Sequence, residues 1–156
     1  MRKKKKIKKI VKPDAKFSNI TVAKFINQIM RQGKKTLAKK IVYGAILKLG
    51  DEPLKIFDQA MKNVGPQVEL ISRRIGGANY QIPREVASNR QLTLAIRWLI
   101  ESAKKKKGKP MAEKLADELK LAAQNQGDAV KKKENVHKMA EANRAFAHFA
   151  YRAKQH

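Results

Sequence analysis

Apolar residues recur along the chain at helical spacing in six separate stretches. After Ser18 or Asn19, either of which can cap a helix, Val22, Phe25, Ile26, Ile29 and Met30 fall three and four apart, and Gly33 offers a stop. A second helix is predicted from about Lys35 to Leu49, with Leu37, Ile41, Val42, Ala45 and Leu49 inward and Lys34, Lys35, Lys39 and Lys40 mostly toward water. Pro53 suits a first helical turn, Leu54, Phe57, Met61 and Val64 continue a third helix, and Gly65-Pro66 ends it. Asn89 can cap a fourth helix through about Lys105 on Leu92, Ala95, Ile96, Leu99 and Ala103. The run KKKKGKP breaks it. A fifth helix from about Met111 to Gln126 buries Ala112, Leu115, Ala116, Leu119 and Ala122. Gly127 and a capping Asp128 then lead into a sixth, from about Ala129 toward Ala150, on Val136, Met139, Ala140, Phe146 and Ala147.

Between the third and fourth helices the helical stripe is lost. Residues 67 to 86, QVELISRRIGGANYQIPREV, hold several β-branched residues around Gly76-Gly77 and read as two short strands joined by a tight turn. Pro83 cannot donate a ladder hydrogen bond, and a lone two-stranded ribbon is marginal. The hairpin should therefore project or lean on helices. Upstream of the first helix the first 16 residues carry nine Lys or Arg against the single Asp14, with Pro13 interrupting any local helix. The expected fold is mainly α: a bundle of six helices with one projecting β-hairpin at about residues 69–87 and a basic N-terminal arm. Residues 1–16 form the arm and residues 17–156 a single helical domain, without a long repeat or a Gly/Ser-rich linker.

Charge changes the picture from fold to function. The 37 Lys and Arg against 13 Asp and Glu leave a formal +24, far beyond what solubility requires, while 42% hydrophobic residues suffice for a core. A polyanion is expected to neutralise it, and nucleic acid is the simplest candidate. There is no apolar run of about 18 residues, and the opening MRKKKKIKKIVKP supports neither a spanning helix nor a signal peptide, so the protein is expected to stay in the cytoplasm. Without cysteine, disulfides and thiolate metal sites are excluded.

Enzyme motifs fail in turn. The Gly-Gly of IGGAN is neither a phosphate loop nor a dinucleotide fingerprint, there is no H-E-x-x-H, and His137, His148 and His156 lack the spacing of a complete metal site. Glu113 and Asp117 stand four apart, which suits surface ion pairing among neighbouring lysines better than acid–base catalysis, and with Glu118 they give the fifth helix the most nearly neutral surface. No catalytic residue, metal or cofactor is expected.

Nucleic-acid chemistry is better supplied. The hairpin brings Arg73 and Arg74 on one strand near Tyr80 and Arg84 on the other, combining guanidinium forks with a ring on which a base can stack. Composition alone allows the same hairpin merely to pack Ile71, Ile75, Tyr80 and Ile82 onto helices; net charge favours the nucleic-acid reading. Lys104 to Lys107, Lys109 and Lys131 to Lys133 add clusters at the two ends of the fifth helix, while Arg90, Arg97 and Lys104 recur every seventh residue. Scattered positive sites with few aromatics suit contacts to many backbones of a folded RNA. A nucleoid-type basic DNA-binding protein is the alternative.

The segments SRRIGGANYQIPREV at 72–86, LAIRWLIESA at 94–103 and KKKENVHKMAEANRAFAHF at 131–149 carry a further signal. In their order and spacing the chain resembles the bacterial small-subunit ribosomal protein seven family, uS7, over nearly its whole length. The resemblance implies a helical domain with a projecting hairpin that binds small-subunit rRNA as a primary binder and nucleates assembly of the subunit head. It implies a position near the exit tRNA site and the mRNA channel, with ribosomal protein eleven as neighbour and proteins nine, thirteen and nineteen joining head assembly. On the matching positions it assigns rRNA contact to Arg2, Lys3, Lys4, Lys5, Lys6, Lys8 and Lys9 of the arm and to Arg73, Arg74 and Arg84, and the residues themselves add Tyr80, Arg90 and Arg97 as rRNA-binding candidates. Gly76, Gly77, Ala78 and Asn79 at the hairpin tip, with Lys138, Arg144, Tyr151 and Arg152, would approach the exit site. Two positions depart from the family: VASNRQ at 86–91 keeps only Arg90 of a usual basic cluster, and Pro110 replaces a capping hydroxyl.

Overall fold

The computed structural model describes residues 11–154, with side chains through residue 150. Helix α1 spans Ile20–Ile29, and of its two candidate caps Asn19 is used: its side-chain oxygen accepts the N–H groups of Thr21 at 2.7 Å and Val22 at 3.3 Å. Helix α2 is Lys35–Leu47, and α3 is Pro53–Val64 with proline in its first turn. Strands β1, Val68–Ile75, and β2, Ala78–Glu85, pair antiparallel from Val68↔Glu85 to Ile75↔Ala78. Only Gly76 and Gly77 remain for the turn. Their φ values of +56° and +90° give the doubly left-handed loop that matches the twist of a two-residue hairpin and that side chains resist. Then follow α4, Ser88–Lys105; α5, Met111–Ala123; α6, Asp128–Ala142; and a 3₁₀ helix, Arg144–Lys154.

All six α-helices contribute to one core, in which Phe25 and Phe57 meet edge to face at 5.6 Å and Leu99, Leu115 and Leu119 are wholly buried. Burying one such leucine stabilises the fold by about 2 kcal/mol. Asn63 ties three helices together. Its side-chain amide donates to the carbonyls of Ala122 and Ala123, both at 2.9 Å, closing the end of α5, while its backbone carbonyl accepts Lys133 Nζ at 2.8 Å from α6. Of the hairpin's own residues only Ile82 is fully buried, so the ribbon leans on α6 and the 3₁₀ helix and its tip stands clear.

Several local expectations are corrected. Asn89 does not cap α4. The Val86 N–H bonds to Gln67 O, which carries the ladder to the edge of the helix; the chain turns at Ala87, and Asn89 falls inside the first turn. Asp128 is likewise the first helical residue and not the cap. Gly127 takes the cap position at φ +95°, and the orphan Ala129 N–H is satisfied from another helix. Leu37 and Met139, expected inward, are about half exposed, while Ala38 and Ile46 hold the inner face of α2. The sixth helix stops at Ala142. Asn143 bonds Met139 O with both its backbone N–H, at 3.1 Å, and its side-chain amide, at 2.7 Å; this competition at the helix end precedes the tighter 3₁₀ turns.

Candidate nucleic-acid interface

Strand register decides which hairpin residues act together. Arg73 lies opposite Tyr80 and Arg74 opposite Asn79, so the neighbouring arginines point to opposite faces of the ribbon. Both are exposed, and neither has an acidic partner among the described residues. The inner face continues through Ile71 and Ile82. Tyr80, on that face, packs its ring against Phe146 at 5.1 Å and Phe149 at 6.1 Å, so it fastens the ribbon to the 3₁₀ helix. Base stacking on Tyr80 has only the part of the ring that this packing leaves open. The tip, Gly76 to Asn79, is exposed throughout.

Arg84 and Arg90 behave differently. Both reach the nearly buried Glu69 carboxylate, Arg84 at 2.7 Å and Arg90 at 3.2 Å, clamping the base of the hairpin to the start of α4. Burial pushes the Glu69 carboxyl upward, but the hydrogen bonds and charges of the two arginines outweigh it and hold the group below its usual range. The clamp forms one wall of a cleft of 830 Å³ between the hairpin base and α6, whose other wall includes His137, Glu141 and Arg144. Arg144 is itself 3.4 Å from Glu141. His137 Nε2 accepts the Gln67 N–H at 3.2 Å, and burial together with the Lys133 charge keeps the imidazole below its ordinary pKa. Arg97 and Lys138 are exposed on α4 and α6. Arg2 to Lys9 lie outside the described residues, as do the side chains of Tyr151 and Arg152.

The two lysine runs are not uniform. Lys104, Lys105, Lys107 and Lys131 are exposed and carry no ion pair among the described residues. Lys106 instead reaches Glu118 at 2.6 Å, Lys109 reaches Asp117 at 2.9 Å, and Lys132 reaches Glu101 at 2.6 Å while lying 5.7 Å from the centre of the Trp98 ring. Glu113 pairs with Lys48 at 2.7 Å, so the expected surface pairing holds for Glu113 and Asp117. Glu118 does not belong with them. It is wholly buried, although its place in the apolar stripe, three residues after Leu115 and four before Ala122, was visible in the sequence.

One assembly went unread in the sequence. Asp14, within the stretch assigned to the arm, is buried: its carboxylate accepts the Tyr43 hydroxyl at 2.5 Å and the N–H groups of Lys16 at 3.0 Å and Phe17 at 3.2 Å. A single acid in a basic run offers no period to flag its burial.

A helical body that projects an arginine-bearing ribbon, and keeps some lysines for itself while leaving others to solvent, has the charge layout of a nucleic-acid-binding structural protein. Comparison with known proteins specifies which. The family model described as ribosomal protein S7p/S5e matches residues 1–144. The chain is 54% identical over 148 residues to the small ribosomal subunit protein uS7 of Dechloromonas aromatica (strain RCB), covering 92% of this chain and 95% of that one. It is 53% identical over 155 residues to the uS7 protein of Fervidobacterium nodosum, covering 97% and 100%, and 51% identical over 155 residues to that of Thermotoga maritima, again covering 97% and 100%. The chain belongs to the bacterial uS7 family, whose members are structural, rRNA-binding, non-catalytic proteins of the small ribosomal subunit.

Proposed function

We propose that this chain is a primary rRNA binder that nucleates assembly of the small-subunit head in the cytoplasm and lies beside the exit tRNA site and the mRNA channel. Its neighbour would be ribosomal protein eleven, with proteins nine, thirteen and nineteen following. The observation that carries the reading is the exposure of Arg73 and Arg74 beside a protruding two-glycine tip, while Arg84 and Arg90 are held by Glu69. Free guanidiniums on a narrow ribbon can enter an RNA junction and bond phosphates bidentately. Lys104, Lys105, Lys107 and Lys131 then supply backbone contacts from the body, and the arm supplies more by sequence.

The mechanism is organisation of a partner. Fixed cations lower the repulsion between RNA helices brought together, and counterion release supplies free energy. A competition titration of a small-subunit rRNA junction against plain duplex DNA, in near-physiological salt, tests it. A large preference for the junction supports the reading. Comparable affinity would favour a nucleoid-type DNA-binding role.

A further inference from the structure

We infer that Asp14 and Tyr43 form a latch that positions the basic arm for RNA, an inference that rests on the RNA-binding role proposed above. Eight basic residues, Arg2 to Lys6, Lys8, Lys9 and Lys12, precede Pro13 and this latch in the sequence. The latch is closed by five hydrogen bonds at one residue. Besides the Tyr43, Lys16 and Phe17 contacts to the carboxylate, the Asp14 N–H donates to Asn19 O at 3.3 Å, and the Asp14 carbonyl accepts the Ser18 N–H at 2.9 Å. Asn19 is also the cap of α1, and Tyr43 lies on α2. The point at which the chain leaves the body is thereby fixed against two helices.

The aromatic surroundings reinforce it. The Phe17 ring meets Tyr43 edge-on at 5.8 Å, and Lys16 Nζ lies 5.7 Å and 5.5 Å from the two ring centres. Covering a carboxylate, in a residue that is only 6% exposed, costs desolvation, which a turn at the start of a domain does not need merely to be closed. Such a group is well suited to transmitting position: the hydrogen bonds allow one geometry, whereas apolar packing tolerates several. A tethered cationic segment binds with an effective concentration set by where its tether begins. Tyr43 and Asp14 are thus positioning residues that act through the arm.

The test is a four-way comparison: the full chain and a truncation lacking residues 1–12, each with and without Tyr43→Phe, titrated against the same rRNA junction over a range of salt. The truncation keeps every described buried residue, since the first of them is Asp14. In the full chain Tyr43→Phe should weaken binding about three- to tenfold, while in the truncation it should change affinity less than about twofold. Equal weakening in both backgrounds, or none in either, would overturn the latch. Should Tyr43→Phe lower the melt so far that the fold is in question, four Gly/Ser residues inserted between Lys12 and Pro13 leave the latch intact and uncouple the arm. That insertion should weaken the full chain by a similar factor, and unchanged affinity would overturn the proposal. If removal of residues 1–12 leaves binding unaltered, the arm has no RNA role and the latch proposal falls, while the RNA-binding role carried by Arg73 and Arg74 stands; loss of that role would show instead as no preference of the full chain for the junction over duplex DNA.

Discussion

Glu118 of α5, wholly buried, accepts the Ala129 N–H at 3.0 Å through Oε1 and approaches Lys106 Nζ at 2.6 Å through Oε2. One carboxylate therefore caps α6 and holds the loop after α4. Removing Lys106 leaves a buried charge without its counterion, whereas removing its exposed neighbour Lys105 removes only a solvated cation.

Lys106→Met should accordingly lower stability by about 2 to 4 kcal/mol and leave the salt dependence of RNA binding almost unchanged. Lys105→Ala should do the reverse, shifting stability by less than about 0.5 kcal/mol and flattening the log–log salt slope by roughly one if it meets a phosphate. Denaturant melts and salt titrations on both variants check the division between paired and solvent-exposed lysines.

Leu99 lies in the helical core with no exposed surface, and Lys104 stands in water five residues onward. Leu99→Ala should cost about 2 to 5 kcal/mol and Lys104→Ala under about 0.5. Equal costs in urea melts would mean that α4 packs by a different face.

The hairpin separates charge from packing. Arg73→Ala with Arg74→Ala should weaken junction binding and flatten the salt slope by roughly two, without moving the melt, because both side chains are exposed and unpaired among the described residues. Tyr80→Ala removes the ring that holds the ribbon against Phe146, so it should weaken binding by about 1 to 3 kcal/mol at an unchanged slope. Phe146→Ala separates the two uses of that ring: an equal loss points to ribbon docking, and a much smaller loss points to base stacking.

His137 makes stability depend on mild acid. Burial and the Lys133 charge lower its pKa from 6.5 in the folded chain, so the unfolded chain binds the proton first as pH falls. The neutral imidazole's contribution is present above 6.5 and is lost as pH falls through the depressed folded value. His137→Gln should flatten the decline in melting temperature just below pH 6.5, read by thermal melts at closely spaced pH.

At the other extremes of pH the Asp14–Tyr43 contact contributes. Burial opposes ionisation of Asp14, but the Tyr43 hydroxyl and the backbone N–H groups of Phe17, Lys16 and Ala15 together hold its pKa below 3.8. Stability from this carboxylate is complete above that value and is lost as pH falls through the lower, folded one. Tyr43, raised to about 12 chiefly by its bond to Asp14, stays protonated and loses its contribution only as pH rises through about 12. Asp14→Asn should shallow the acid limb of a stability–pH curve.

Much of the architecture was legible because it is local. The spacings of Val22, Phe25, Ile26 and Ile29, or of Leu115, Leu119 and Ala122, mark an apolar face through the 3.6-residue period alone. Gly76-Gly77 marks its turn because few other residues accept two successive positive φ values. Net charge, likewise, is a sum over the chain that no folding alters, and it was sufficient to point to a polyanionic partner. Which lysines and arginines remain available was decided only by tertiary structure. Lys105 and Lys106 are adjacent in one basic run, yet one is solvated and the other meets a carboxylate twelve residues away on α5. Arg74 and Arg84 look alike in sequence, but only the second lies across the ladder from Glu69. The Asp14–Tyr43 contact, 29 residues apart, has no periodic signature at all. Ion pairing depends on distances of a few ångströms between elements, and those distances exist only once the helices have packed.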